Sequence, residues 1–123
     1  MPNNDENLFK TEDPRGYQIS LSSNQYYNHI VSSDNHIAHT EFSPDEIKEC
    51  VEQPEQIWQS KQKEDCDLYY GKTSAAYPQL YLRTVVAIDE PNKSGEVVTA
   101  FLSKKLSGGK DGGLRYVSYK SKL

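Results

Sequence analysis

Three histidines stand within eleven residues, at His29, His36 and His39, and the chain has no others. Imidazole is the side chain whose ordinary pKa lies closest to neutrality, so such a cluster points to proton transfer, metal binding or pH sensing. His36 and His39 are three apart with Glu41 nearby, which sketches a His/His/carboxylate zinc set. They lie in a polar loop, not on the helix of an HExxH motif, and no third ligand follows at a suitable spacing, so no metal or other cofactor is expected. A serine nucleophile on a GxSxG elbow is absent, and Ser107–Gly113 lacks the GxxxxGK[ST] order of a phosphate-binding loop. General acid–base chemistry suits the residues best: one imidazole takes a proton while another supplies one.

RNA cleavage through its own 2′-hydroxyl needs that exchange plus cations around the crowded phosphate. His29 and His39 are the candidate acid and base, with Thr99 as a neutral hydrogen-bond donor. Lys72, Arg83, Lys104 and Lys105 are candidate phosphate partners, and Tyr69, Tyr70, Tyr77 and Tyr81 are candidate platforms for unpaired bases. Taken singly, each has a plain structural reading, since tyrosines are common in strands and lysines on sheet surfaces. Their combination favours a nuclease.

The elements that must position these groups follow from periodicity. Residues 1–16 offer little to bury and read as a mobile tail, leaving 17–123 as one domain. Tyr17–Leu21 alternates like a short strand. Ser22 and Ser23 can cap a helix running to about Val31, with Tyr27, Ile30 and Val31 on its buried stripe and His29 turned away. Ser43-Pro44-Asp45-Glu46 is a capping-box start for a second helix, with Phe42 placed to staple onto Ile47 and Pro54 ending it near Gln53. Gln56–Ser60, Leu68–Lys72, Leu80–Ile88 and Val97–Leu102 read as strands, and Leu114–Tyr119 as a final edge strand. Ser107–Gly113, with four glycines in seven residues, reads as a flexible connection. The expected fold is α+β: two N-terminal helices packed on a roughly four-stranded antiparallel sheet.

The totals narrow the class further. Of 123 residues, 35% are hydrophobic, and nine tyrosines add apolar ring area. No apolar run approaches the roughly 20 residues that span a bilayer. The N-terminus has neither the basic nor the apolar region of a secretory signal, so an intracellular, cytoplasmic protein is expected. Cys50 and Cys66 form no CxxC pair and are expected to be reduced thiols. Residues 1–66 carry 13 acidic and 5 basic side chains, a balance of -8; residues 67–123 carry 5 and 9, a balance of +4. A basic C-terminal half suits a polyanion, because local field and not total charge steers a ligand.

The motif order also resembles a known group. His29-Ile30, His39-Thr40-Glu41, the helix through Ile47–Val51 and Gln53-Pro54-Glu55-Gln56-Ile57 are similar to phage-type members of the barnase–EndoU–colicin–RelE nuclease superfamily. Leu68-Tyr69-Tyr70-Gly71-Lys72, Leu80–Val86 and Gly95-Glu96-Val97-Val98-Thr99-Ala100-Phe101 resemble that group's successive strands. The resemblance spans about residues 26–106. It implies two helices on a four-stranded antiparallel sheet, metal-independent RNA cleavage, and a toxin or prophage product with a cognate inhibitor or immunity protein as a further partner. It places His29, His39, Thr99 and Lys72 at the group's corresponding positions. Thr40 stands where the group has proline, Ala38 where arginine is common, and His36 has no counterpart.

The leading expectation is therefore a ribonuclease working by transesterification, with Lys72, Arg83, Lys104 and Tyr70 binding the substrate. The rival is a non-catalytic interaction module, favoured by the acidic first half and by Ala38. A metal-dependent hydrolase is the third reading.

Overall fold

The structure is a computed structural model that describes residues 6–27, 43–73, 80–103 and 109–118, with the backbone alone at 72, 73, 110 and 111. Its strands are β1 (Asn7–Glu12), β2 (Gln18–Ser22), β3 (Gln56–Ser60), β4 (Cys66–Thr73), β5 (Tyr81–Asp89), β6 (Ser94–Ser103) and β7 (Gly109–Val117). They form one sheet in the order β1-β2-β6-β5-β4-β3-β7. Every neighbouring pair is antiparallel except β2 and β6, which run parallel with Gln18–Ser20 beside Ser94–Glu96.

Two helices are described, α1 (Ser23–Gln25) and α2 (Pro44–Glu52). The Ser43 hydroxyl accepts the Glu46 amide at 3.4 Å, and Glu46 Oε1 accepts the Ser43 amide at 2.8 Å. With Pro44 at the first position, that reciprocal cap satisfies donors a helix start would otherwise leave bare. Ile47, Cys50 and Val51 keep the i, i+3, i+4 spacing and are all buried against the sheet. At Gly71 the helix comes closest: a Cβ there would stand 2.9 Å from Cys50 Sγ.

Strand alternation divides the sheet into two faces. The helix face gathers Phe9, Ile19, Leu21, Ile57, Tyr69, Leu82, Val86, Val97 and Ala100 into the main core with α2. The far face carries Tyr70, Arg83, Thr99 and Phe101. Leu68 and Tyr70 are nonetheless buried, so β4 is covered on both sides.

This architecture corrects the expected one. Strands β3 to β6 form an antiparallel meander, but the sheet is seven-stranded and mixed. Residues 7–12, expected in a mobile tail, form β1, because Phe9 buries its ring beside Leu21 and the turn after it is pinned. Within that turn the Asp13 amide donates to Tyr17 O and the Gly16 amide to Asp13 O, each at 2.9 Å, with Gly16 at φ 90°. Part of the glycine-rich connection belongs to β7, where Gly109 lies flat on Trp58; a Cβ there would meet the ring at 2.8 Å. The helix expected to reach Val31 begins at Ser23 under a Ser22 cap, and its second half, with the Phe42 staple, lies outside the described residues.

Candidate functional site

Three candidate site residues, Tyr70, Arg83 and Thr99, share the far face of the central strands. Tyr70 on β4 lies opposite Arg83 on β5, and Arg83 lies opposite Phe101 on β6. This register sets a guanidinium between two rings. The Arg83 guanidinium carbon is 5.4 Å from the Tyr70 ring centre and 5.1 Å from that of Phe101. Both are within the range at which a cation is drawn to an aromatic face. Arg83 Nη2 also donates to Ser103 Oγ at 3.1 Å. The head group therefore leans along β6 toward Ser103.

Thr99 lies two residues before Phe101 on the same strand and so shares its face. Its Oγ1 is buried and has no hydrogen-bond partner among the described residues. A buried hydroxyl left in that state costs about 1–3 kcal/mol.

The remaining expectations divide in two. Tyr70 is fully buried, so its ring is closed to a nucleobase; it is a wall for Arg83 instead, and its role as a stacking platform is withdrawn. Burial also raises its hydroxyl pKa, against the opposing pull of Arg83. Lys72 is placed by its backbone in β4, two residues past Tyr70. His29, His36, His39 and Lys104 lie outside the described residues.

A second constellation escaped the sequence reading. Asp13 and Asp67 are both buried, and Arg15 links them: its Nη2 lies 3.0 Å from Asp13 Oδ2 and 3.1 Å from Asp67 Oδ2. Arg115 Nε meets Asp67 Oδ1 at 2.8 Å. The Tyr69 hydroxyl donates to Asp13 Oδ2 at 2.5 Å and accepts from Arg15 Nη2 at 2.9 Å. The Arg15 guanidinium also covers the Tyr17 ring at 4.3 Å. Two carboxylates face two guanidiniums, so the cluster is neutral as a whole.

Its pKa shifts follow from that packing. Burial pushes the Asp67 carboxyl up, outweighing the downward pull of Arg115 and Arg15. Burial and then the bond to Asp13 push the Tyr69 hydroxyl far above its usual value, which keeps its proton in place. Burial works against the Arg15 charge, but Tyr69, Asp13 and Asp67 more than offset it, and its pKa rises. Tyr69 and Arg15 hold their protons and both carboxylates are engaged by guanidiniums, so we read the cluster as a clamp joining the β1–β2 turn to β4 and β7. One signal in the sequence marks it: Asp67 directly precedes the apolar run Leu68-Tyr69-Tyr70 and shares a face with Tyr69.

No protein-family model, no curated protein and no solved structure matches this chain.

An open groove of about 710 Å³ crosses the far face near Lys10, Gln18, Ser20, Asp89, Ser94 and Glu96. Two carboxylates against one lysine make it a poor seat for a phosphate. Among the described residues, no three His, Cys, Asp or Glu side chains group to hold a metal ion, and no helix is long and apolar enough to cross a membrane. Cys50 is buried with its pKa pushed up to about 12 by burial, so it is a packing thiol and not a nucleophile.

Proposed function

We propose that the chain is a metal-independent endoribonuclease. The RNA 2′-oxygen attacks the adjacent phosphorus, the bond to the 5′-oxygen breaks, and the products carry a 2′,3′-cyclic phosphate and a 5′-hydroxyl. His39 and His29 exchange the two protons, one accepting from the 2′-hydroxyl and the other donating to the leaving oxygen. Thr99 donates to a phosphate oxygen, and Arg83, Lys72 and Lys104 supply positive charge. The reaction needs no cofactor.

One observation carries this reading. A guanidinium fixed between two rings shares a sheet face with a buried threonine hydroxyl that lacks a partner among the described residues. Preorganised donors of this kind stabilise developing charge without reorganising during the reaction. The superfamily resemblance enters through the shared motif order alone, because the expected four-stranded architecture is not this chain's.

The test is incubation of purified protein with total RNA in EDTA, wild type beside His39→Ala. Cleavage by the wild type that falls at least roughly a hundredfold in the variant is expected, the scale of a lost general acid or base. Equal cleavage by both, or none from pH 5 to 8, would refute the assignment.

A second reading is a non-catalytic interaction module, whose partner is a protein bound by the acidic first half. What favours it is that Tyr70, Arg83, Phe101 and Ser103 already satisfy one another. Stable binding of a basic partner by a wild type that leaves RNA intact would establish it.

A further inference from the structure

The sheet is open, and its outer strands β1 and β7 each leave one edge without a neighbouring strand among the described residues. An edge of that kind presents unpaired N–H and C=O groups on which a further strand can build. The two edges differ. β7 meets β3 through two register shifts and carries Gly112 at φ 74°, so its backbone is not evenly extended. β1 pairs regularly with β2 from Phe9 to Glu12. The Asp13 amide donates to Tyr17 O, and an antiparallel ladder alternates residue by residue, so Thr11 and Phe9 also bond back toward β2. Lys10 and Glu12 therefore turn their backbone groups outward, and their side chains are exposed on the opposite sheet face from Phe9. Lys10 makes no ion pair among the described residues. Glu12 Oε2 accepts the Gln18 side-chain amide at 3.1 Å, which leaves its other oxygen for a cation.

We propose that this edge is filled by β1 of a second copy of the chain, so that two sheets join into one across a two-fold axis at Thr11. The charges of the edge are complementary to themselves in that register. Lys10 of each copy lies opposite Glu12 of the other, and each of these two outward-facing pairs exchanges two backbone hydrogen bonds. The ammonium and carboxylate of each pair stand on one sheet face and attract across the seam. Moving the axis to Lys10 would set lysine against lysine, and moving it to Glu12 would set glutamate against glutamate, so the charges select the register. The contact is the same patch on both copies and closes at two. Four backbone bonds and two exposed ion pairs make a small contact beside the roughly 1,000 Å² of a stable interface, so the dimer dissociates on dilution.

The experiment follows the full chain by sedimentation from about 10 μM to about 1 mM, where monomer should pass into dimer. Lys10→Glu or Glu12→Lys turns both ion pairs into repulsions and should weaken association roughly tenfold to a hundredfold. Combining Lys10→Glu with Glu12→Lys should restore it, which a merely structural role for either residue would not. On the axis the two Thr11 Cα atoms stand about 4.5 Å apart, within reach of a disulfide. Thr11→Cys should therefore cross-link two chains under mild oxidation, while Lys61→Cys, exposed between β3 and β4, should not. A chain that stays monomeric at the highest concentration and forms no such cross-link overturns the proposal. So does a dimer indifferent to both charge reversals, because its contact then lies on another surface, the β7 edge included. A dimer that responds to the reversals but is not cross-linked through position 11 overturns the register.

Discussion

Replacing Arg15 with methionine removes the group that joins two buried carboxylates. The side chain is lost from Asp13, from Asp67 and from the Tyr69 hydroxyl, together with its stack on Tyr17. Breaking a buried ion pair by deleting one partner costs about 3–5 kcal/mol, because the remaining charge stays desolvated. Here the lower end applies. Asp13 keeps the Tyr69 hydroxyl and the amides of residues 15 and 17, and Asp67 keeps Arg115. For a chain of this length, each kcal/mol moves the melting midpoint by about 3–5 °C. About 3 kcal/mol therefore corresponds to a drop of about 9–15 °C, read by circular dichroism during a thermal scan. A drop under about 3 °C would refute the clamp, since a residue in a solvated tail is the one that can be changed at so little cost.

Three further outcomes follow from the same packing. Because burial raises the Asp67 pKa in the folded state, the stability this group contributes is fully present below the ordinary carboxylate value of about 4 and is lost as pH rises through the raised one. Asp67→Asn, which mimics the protonated form, should therefore gain stability relative to wild type as pH rises from 4 to 7 in urea titrations; a constant difference would contradict the shift. Gly71→Ala places a methyl 2.9 Å from Cys50 Sγ and should destabilise by about 1–3 kcal/mol, with partial recovery in the Cys50→Ala background; an undisturbed melt would show that the contact yields freely. Both thiols are buried with raised pKa values, so iodoacetamide at pH 8 should label neither until denaturant is added. Native labelling counted by mass would show that the helix opens over β4.

Local chemistry made some of this legible from the residues. The capping box at Ser43 and the apolar spacing after it mark α2, and the period of two marks β3 with its observed ends at Gln56 and Ser60. The rest depends on pairings that leave no local trace. In β1, Leu8 and Phe9 stand in a polar stretch, and only pairing with β2 makes Phe9 a core residue. The parallel contact of Gln18–Ser20 with Ser94–Glu96 joins segments over seventy positions apart, which periodicity does not report. Glycine at 109 reads as looseness in a sequence, yet here it is what lets β7 approach Trp58. In the candidate site, the chemistry of Arg83 and Thr99 is legible from residue type. The burial of Tyr70 is not, because a tyrosine in a strand shows neither which face it takes nor whether that face is open.

The most direct measurement uses a defined RNA oligonucleotide in EDTA, with one ribose at a cleaved position replaced by 2′-deoxyribose. Wild-type protein should cut the all-ribose strand and leave a 2′,3′-cyclic phosphate and a 5′-hydroxyl, identified by mass, and should fail only at the substituted position. Scission at the deoxyribose, a requirement for divalent metal, or an intact all-ribose strand would each contradict transesterification by this chain.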